Sequence, residues 1–323
     1  MDVIALKEKV LKGYNINEDE AKELYNADIN LLKEAANEIR KFFMQDNFDL
    51  CTIVNAKCGS CSENCKFCAQ SAHHGKNVET YPLLDDRTII DDAKKQKEKG
   101  ILRYSIVTSG KKLSDEDVLN EARIIKKLKE ECDIEICISN GLLSYDNFKI
   151  LKEAGASRVH NNLEAAPSFF PSICTTHTIE DKIQALEDAR RAGLEVCSGG
   201  IIGLGESREQ RIEMAMTLRD LNVKSIPVNV LNPIPNTPFG DNEKLSEEEV
   251  IRTVAVYRFI LKDSFIRLAG GRSSFDDKGK AIFESGANAA ISGDMLTTSG
   301  INTKSDLEIL KELNFTPRVV SIL

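Results

Sequence analysis

Eight β-rich segments, each followed by an amphipathic and strongly charged one, run through most of this chain. The β-rich segments span residues 50–56, 103–109, 134–139, 157–162, 194–200, 225–231, 264–270 and 288–293. Several charged segments begin after Ser, Thr or Asp and end at Gly, as capped helices do. Eight strand-then-helix units favour a closed barrel over an open sheet. We therefore predict an α/β fold, a (β/α)8 barrel of the TIM type over residues 47–323, preceded by an N-terminal helical extension over residues 1–46.

Charge and hydrophobic pattern exclude several classes of protein. The 323 residues carry a net charge of −8 with acidic and basic groups interspersed, whereas a nucleic-acid surface would be basic. No apolar run reaches the length of about 18 residues that a membrane span needs, and the first residues lack a signal-peptide core. We expect a cytoplasmic protein that binds neither nucleic acid nor membranes. Its nine cysteines are then metal ligands or redox groups rather than disulfides.

Alternation within the strands predicts an unusually polar barrel interior. In residues 134–139 three isoleucines share one face, which suits the surrounding helices, so Cys137 on the other face points inward. The same argument applied to the other strands points these residues inward: Arg103, Ser105, Arg158, His160, Asn162, Glu195, Cys197, Asn229 and Arg267. Barrel interiors are normally packed with branched aliphatic side chains, and unpaired buried polar groups cost several kcal/mol. The barrel is therefore predicted to hold something polar.

Four cysteines fall close together directly after the first predicted strand, at positions 58, 61, 65 and 68. Cys61, Cys65 and Cys68 have the spacing C-x3-C-x2-C. Three thiolates on one tight loop can hold three irons of a 4Fe-4S cluster and leave the fourth iron open for another ligand. A structural zinc site is the alternative, because His73 or His74 could complete a set of three cysteines and one histidine.

The loop resembles that of the radical S-adenosylmethionine (SAM) enzymes, whose pattern has an aromatic residue, here Phe67, before the last cysteine. The resemblance implies that SAM binds the open iron through its amino and carboxylate groups, with Phe67 near the adenine. The stretch GGIIGLGE over residues 199–206 resembles the adenine-contacting segment of the same family. The residues that the resemblance assigns to SAM there are Gly199, Ile201, Gly203 and Glu206.

Within that superfamily the chain resembles the biotin synthase family over about residues 40–318. The resemblance rests on NAKCGSCSENCKFCAQS, EVCSGGIIGLGE, SIPVNVLNPIPNTP, IRLAGGR and GANAAISGDMLTT. It implies a sulfurtransferase of biotin biosynthesis that inserts sulfur between two unactivated carbons of dethiobiotin, with the sulfur drawn from an auxiliary iron-sulfur cluster. It also implies SAM as the radical source, an electron donor such as flavodoxin or ferredoxin, and a homodimer.

Several single positions match the residues that this family uses. By resemblance, Asn162 and Glu164 contact SAM, and Asn162 also contacts dethiobiotin; Glu164 stands where the family usually has aspartate. Asn229 matches the asparagine that meets the ureido ring of the substrate. The resemblance assigns three of the four auxiliary-cluster ligands to Cys137, Cys197 and Arg267.

The match fails at one auxiliary ligand, where the family has a third cysteine and this chain has Ser105. Cys58 and Cys174 are instead extra cysteines, both expected near the mouth of the barrel. One hypothesis is that Cys58, Cys137, Cys174 and Cys197 build a different auxiliary cluster, of a larger four-iron type rather than 2Fe-2S. The alternatives are that Ser105 is a surrogate ligand, or that the extra cysteines are incidental.

Two other functions are compatible with the sequence. One is another radical SAM enzyme of the same subfamily, of the methylornithine-forming or hydrogenase-maturation type. The other is a non-catalytic protein that binds zinc or an iron-sulfur cluster. Cys51 and Cys132 begin their predicted strands, and we interpret both as structural residues.

Overall fold

A closed ring of parallel strands forms the centre of the computed structural model, which describes residues 1–74 and 78–322. The strands of the described residues are β1 (Asn47–Lys57), β2 (Arg103–Thr108), β3 (Glu135–Ser139), β4 (Arg158–His160), β5 (Glu195–Cys197), β6 (Gly200–Ile202), β7 (Ser225–Val230), β8 (Phe265–Leu268), β9 (Ala289–Ile291) and β10 (Thr316–Pro317). Each barrel strand pairs with its neighbour in parallel, and β9 closes the ring by pairing with β1. The predicted (β/α)8 barrel is confirmed.

The strands β5 and β6 share one of the eight positions in the ring, because both pair with β7. Sequence alternation predicted a single strand there, over residues 194–200. The interruption falls at Gly199, where a Cβ atom would lie 1.9 Å from the carbonyl oxygen of Pro227. Two backbones that approach this closely bend the strand away from a regular ladder.

Helices surround the ring, and the stretches of chain between strands place them on its outer face. They are α1 (Val3–Leu11), α2 (Glu18–Leu24), α3 (Ile29–Met44), α4 (Asp86–Glu98), α5 (Asp115–Glu131), α6 (Tyr145–Ala154), α7 (Ile179–Arg191), α8 (Arg208–Asp220), α9 (Glu247–Ile260), α10 (Lys280–Phe283) and α11 (Thr303–Glu312). Ser114, Thr178 and Ser246 cap α5, α7 and α9 by accepting a backbone N–H three residues on, as their sequence pattern indicates. Within the described residues, no helix has both the length and the apolar character to cross a membrane.

The amino-terminal end of the barrel is plugged. Helix α3 packs against α9 and ends at Met44, which forms a small apolar cluster with Phe265 and Ala289. Val320 and Ile322 of the C-terminal segment pack on this cluster. The open end is therefore the carboxyl-terminal face of the strands, where barrel enzymes carry their active sites.

The predicted inward direction of the polar strand residues is confirmed. In β3 the side chains of Ile136 and Ile138 are fully buried on the outer side, whereas Cys137 lines the central cavity. The other predicted inward residues that line this cavity are Arg103, Ser105, Arg158, His160, Asn162, Cys197, Asn229 and Arg267. Glu195 is bound from inside the barrel by Arg158, at 2.7 Å.

Candidate functional site

A cavity of about 400 Å³ runs from the carboxyl-terminal mouth into the barrel. The thiols of Cys61, Cys65 and Cys68 lie at its rim, and those of Cys137 and Cys197 lie on its strand walls. Phe67 also lines the rim. Two groups of cysteines therefore face one cavity, one group from the rim and the other from the strand walls.

The rim cysteines belong to a loop that directly follows β1 and is held by its own backbone. The N–H of Cys61 donates to the carbonyl of Gln70 (3.0 Å), and the N–H of Cys68 donates to the carbonyl of Cys65 (3.0 Å). The side chain of Gln70 accepts the N–H of Gly59 at 3.0 Å. These bonds fold the loop back on itself, so that three free thiols point to one side. This donor set fits three irons of a 4Fe-4S cluster.

The two histidines after this loop do not complete a zinc site with its cysteines. Nε2 of His73 lies 3.0 Å from the carbonyl oxygen of Ser62, and Nε2 of His74 lies 2.9 Å from the carbonyl oxygen of Cys65. Both rings are therefore used to tie the loop to its own backbone. The arrangement gives no support to the alternative of three cysteines and one histidine.

Cys174 lies under the rim loop and contacts one of its cysteines. Its Sγ is 3.7 Å from Sγ of Cys65 and 3.3 Å from Nδ1 of His177. The same nitrogen of His177 lies 2.6 Å from Oε2 of Glu63, which belongs to the rim loop. Cys65, Cys174 and His177 thus form a group of potential metal ligands beside the first set of thiols.

Cys58 is buried, and its backbone pairs with that of Tyr81. Among the described residues that line the cavity, neither Cys58 nor Cys174 is present. The cluster of Cys58, Cys137, Cys174 and Cys197 stays a prediction. The contact between Cys174 and Cys65 counts against it, because it ties Cys174 to the rim.

The glycine-rich segment 199–206 forms one wall of the mouth. Ile201 lines the cavity, and its N–H donates to the carbonyl of Glu164 at 2.8 Å. Gly199 permits this wall to approach β7, since any side chain would strike Pro227. The position of Ile201 is thus compatible with its predicted SAM contact, whereas Gly199 is not among the described residues that line the cavity.

The carboxylate of Glu206 stabilises the turn at the end of the same segment. Its two carboxylate oxygens accept the N–H groups of Gly203 (2.8 Å) and Leu204 (2.7 Å), and Arg211 donates to it at 2.6 Å. Gly203 has a φ of +94°, a left-handed conformation that favours glycine. Within the part of the chain that the structure describes, neither Gly203 nor Glu206 lines the cavity. Any effect of these two residues on SAM would act through the shape of the turn.

Asn162 and Glu164 follow β4 and face the cavity together. Nδ2 of Asn162 donates to Oε2 of Glu164 (3.3 Å), and Oδ1 of Asn162 accepts the N–H of Gly199 (3.1 Å). Glu164 has a φ of +72°, and a non-glycine residue in this region costs about 1–3 kcal/mol. Such strain clusters at ligand sites, which agrees with the predicted role of this pair.

Asn229 lies on β7, where it pairs with Ile201 of the neighbouring strand β6. Its Nδ2 donates to the carbonyl of Gly200 at 3.2 Å, and its Oδ1 accepts the N–H of Gly270 at 2.9 Å. Both ends of the amide are therefore fixed, and the side chain lines the cavity. Fixed polar groups of this kind orient a ligand without being reorganised when it binds.

Deeper in the barrel, one buried carboxylate joins three arginines. Oδ2 of Asp49 lies 2.6 Å from Nη1 of Arg158 and 2.8 Å from Nη2 of Arg267, and Oδ1 lies 3.7 Å from Nε of Arg103. Although burial opposes it, the charges of Arg267, Arg158 and Arg103 hold the pKa of Asp49 well below its usual value. Asp49 is the inward residue two positions before Cys51, and the sequence pattern did not predict its role.

Cys197 and Cys137 differ in their electrostatic surroundings. Burial opposes the ionisation of Cys197, but a hydrogen bond from His160 and the charges of Arg267 and Arg158 lower its pKa to about 6. Ser225 also donates a hydrogen bond to its Sγ, at 3.1 Å. Burial raises the pKa of Cys137 to about 12. Cys197 is thus prepared as a thiolate, the form that ligates metals.

The sequence predicts a structural role for Cys51 at the start of its strand. In the structure β1 begins at Asn47, so Cys51 is its fifth residue, and its side chain lines the cavity. Its Sγ lies 3.1 Å from Nη1 of Arg267. Cys132, by contrast, is buried in the core outside the barrel, as a structural role predicts.

Two family descriptions match successive parts of the chain. Residues 57–218 match the radical SAM superfamily, and residues 227–316 match the Biotin and Thiamin Synthesis associated domain. The first match contains the rim cysteines and β2–β6. The second contains residues 227–230 of β7, with Asn229, and the strands β8 and β9, with Arg267.

Curated relatives match over nearly the full length. A biotin synthase of Brachyspira hyodysenteriae is 52% identical over 310 residues, which cover 96% of this chain and 93% of the relative. A biotin synthase of Clostridium botulinum is 51% identical over 314 residues, which cover 97% of this chain and 99% of the relative.

Solved structures of lower identity share the fold. A methylornithine synthase superposes with a TM-score of 0.84 at 19% identity, covering 97% of both chains. The FeFe-hydrogenase maturase of Carboxydothermus hydrogenoformans superposes with a TM-score of 0.82 at 19% identity, covering 99% of this chain and 80% of the other. At such identity the likeness establishes the fold alone.

Proposed function

The chain belongs to the biotin synthase family of the radical SAM superfamily, and on that premise we propose that it inserts sulfur into dethiobiotin to form biotin. The observation that carries the proposal is the pair of cysteine groups that face one cavity from its rim and from its strand walls. A reaction that generates a radical at one cluster and takes sulfur from another needs both groups within reach of one substrate.

The cysteine groups fit the two cofactors that this function requires. Cys61, Cys65 and Cys68 would hold the 4Fe-4S cluster, while Cys137, Cys197 and Arg267 belong to the auxiliary site. When bound, the first cluster supplies the electron that cleaves SAM, and the auxiliary cluster supplies the sulfur. The fit rests on donor type, because soft thiolates are the ligands that iron-sulfur clusters prefer.

The remaining residues of the cavity position the reactants and shield them. Phe67 and Ile201 offer apolar surface at the rim, suited to the adenine of SAM. Asn162 and Glu164 offer an amide and a carboxylate beside it, and Asn229 presents its fixed amide toward the ureido ring of dethiobiotin. The plugged amino-terminal end keeps water from entering from below, and exclusion of water limits side reactions.

We further propose a compartment, an electron donor and an oligomeric state for the protein. Because all nine cysteines are free, a reducing compartment suits the chain, and we place it in the cytoplasm. We propose flavodoxin or ferredoxin as the electron donor and a homodimer as the assembly. We also propose that residues 1–46 are a helical extension distinct from the catalytic barrel.

We expect dethiobiotin to accelerate the cleavage of SAM by the anaerobically reconstituted protein at least about tenfold, which corresponds to about 1.4 kcal/mol of barrier. The reason is that a substrate seated between the two cysteine groups traps the radical that cleavage produces. The measurement is the rate of 5′-deoxyadenosine and biotin formation with SAM and a reductant, with dethiobiotin or reductant omitted as controls.

Equal deoxyadenosine formation with and without dethiobiotin, and no biotin, would refute this substrate. A radical SAM reaction of the methylornithine-forming or hydrogenase-maturation type would then be the next to test. Absence of deoxyadenosine under all conditions, with zinc bound instead of iron, would point to the non-catalytic alternative.

A further inference from the structure

We propose that Cys51 supplies the third thiolate of the auxiliary iron-sulfur site, in place of the cysteine that the family usually has where this chain has Ser105. The inference rests on the proposed function, because it concerns the ligands of the second cluster. The third thiolate of the auxiliary site then comes from strand β1 instead of the neighbouring strand β2.

The first support is the position of Cys51 in the barrel wall. Cys51 pairs with Arg103 of β2 on one side and with Ile291 of β9 on the other. Its side chain is nearly buried, with 6% exposed, and the part that is not covered lines the cavity. It thus faces the same space as Cys137 and Cys197.

The second support is direct contact with a predicted ligand. Nη1 of Arg267 lies 3.1 Å from Sγ of Cys51, while its Nη2 is paired with Asp49 at 2.8 Å. A guanidinium hydrogen-bonds to a thiolate at this distance and stabilises its negative charge.

The third support is a net positive charge of one in the arginine network beside the cavity. Three arginines meet only two carboxylates in this network, Asp49 and Glu195. Nη2 of Arg158, Nη2 of Arg267 and Nε of Arg103 are buried without a well-directed hydrogen bond, although each is near a carboxylate. Buried charge of this kind needs compensation. An anionic group of sulfides and thiolates in the cavity would provide it.

Ser105 lies opposite Cys137. The two residues pair in the ladder between β2 and β3, and both line the cavity. A hydroxyl beside cluster sulfur tunes a cluster without ligating iron. We therefore assign Ser105 no place among the ligands.

The test compares four proteins after anaerobic reconstitution: wild type, Cys51→Ala, Ser105→Ala and Cys132→Ala. Iron and sulfide per chain and Mössbauer spectra report the auxiliary cluster, and SAM cleavage without dethiobiotin reports the first cluster separately. We expect Cys51→Ala to lose the iron that exceeds the four of the first cluster and to keep cleaving SAM. Ser105→Ala and the buried-cysteine control Cys132→Ala should keep their auxiliary iron.

Auxiliary iron retained in Cys51→Ala, or lost in Ser105→Ala, would overturn the assignment. If Cys51→Ala does not fold, the test uses the wild-type protein. The measurement is then the rate at which a small alkylating reagent modifies Cys51 before and after reconstitution. We expect reconstitution to slow that rate at least about tenfold while the rate at Cys132 stays unchanged, and equal rates before and after reconstitution contradict the proposal. Failure of SAM cleavage in the wild type would instead count against the proposed function.

Discussion

Replacing Cys65 by alanine is expected to reduce SAM cleavage by more than about 100-fold, more than the usual loss when an outer-shell partner of a metal is removed. Cys65 lines the rim between Cys61 and Cys68, and two thiolates do not hold a four-iron cluster stably. The barrel should remain folded, because Cys65 lies in a surface loop, where substitutions usually change stability by less than about 1 kcal/mol.

The measurement is 5′-deoxyadenosine formation by anaerobically reconstituted Cys65→Ala, together with its circular dichroism and iron content. Cys58→Ala is the matched control, because Cys58 precedes the same loop but pairs with Tyr81 away from the cavity wall. We expect the control to cleave SAM like wild type. Cleavage by Cys65→Ala at near the wild-type rate would exclude the proposed ligands of the first cluster.

Replacing Asp49 by asparagine is expected to lower the free energy of unfolding by about 3–5 kcal/mol, the usual cost of removing one partner from a buried ion network. Asp49 is 2% exposed and lies within 4 Å of Arg103, Arg158 and Arg267. The neutral amide leaves these arginines with only Glu195 to compensate them.

The pH dependence of this effect follows from the depressed pKa of Asp49. A carboxylate whose pKa is lower in the folded state stabilises the fold above its unfolded pKa, about 3.9, and this stabilisation is lost as the pH falls toward the folded value. The difference between wild type and Asp49→Asn should therefore be complete at neutral pH. It should shrink as the solution is acidified below about pH 4.

Urea denaturation of the metal-free proteins measures this difference. Asp46→Asn is the matched control, since Asp46 lies just before the same strand and pairs with Arg318 at an exposed site (3.0 Å). An exposed ion pair contributes at most about 1 kcal/mol. Equal stability of Asp49→Asn and Asp46→Asn would show that the arginines do not depend on Asp49.

Local periodicity was sufficient to predict the barrel and the direction of most of its side chains. It failed at β1 because strands β9 and β10 extend the pairing of β1 back to Asn47, three residues before the predicted start. For a residue near the predicted end of a strand, the alternation of side chains does not show whether it points into the barrel or outward. This is why Asp49 was missed and why Cys51 was interpreted as structural.

Contacts between loops that are distant in the chain could not be predicted from the sequence. Cys65 and Cys174 are far apart in the chain, and their sulfur atoms meet at 3.7 Å only because neighbouring loops converge at the barrel mouth. The sequence placed Cys174 at that mouth but could not choose between the rim cysteines and the interior ones as its partner. Glu206 is a similar case, since its partner Arg211 lies on the following helix.

The origin of the sulfur in the product tests most directly whether the auxiliary cluster supplies sulfur to dethiobiotin. Protein reconstituted with iron and isotopically labelled sulfide is freed of unbound sulfide and given dethiobiotin, SAM and a reductant without any other sulfur source. We predict labelled biotin, in an amount that does not exceed the number of protein chains, together with 5′-deoxyadenosine. Unlabelled biotin, or deoxyadenosine without any biotin, would contradict it.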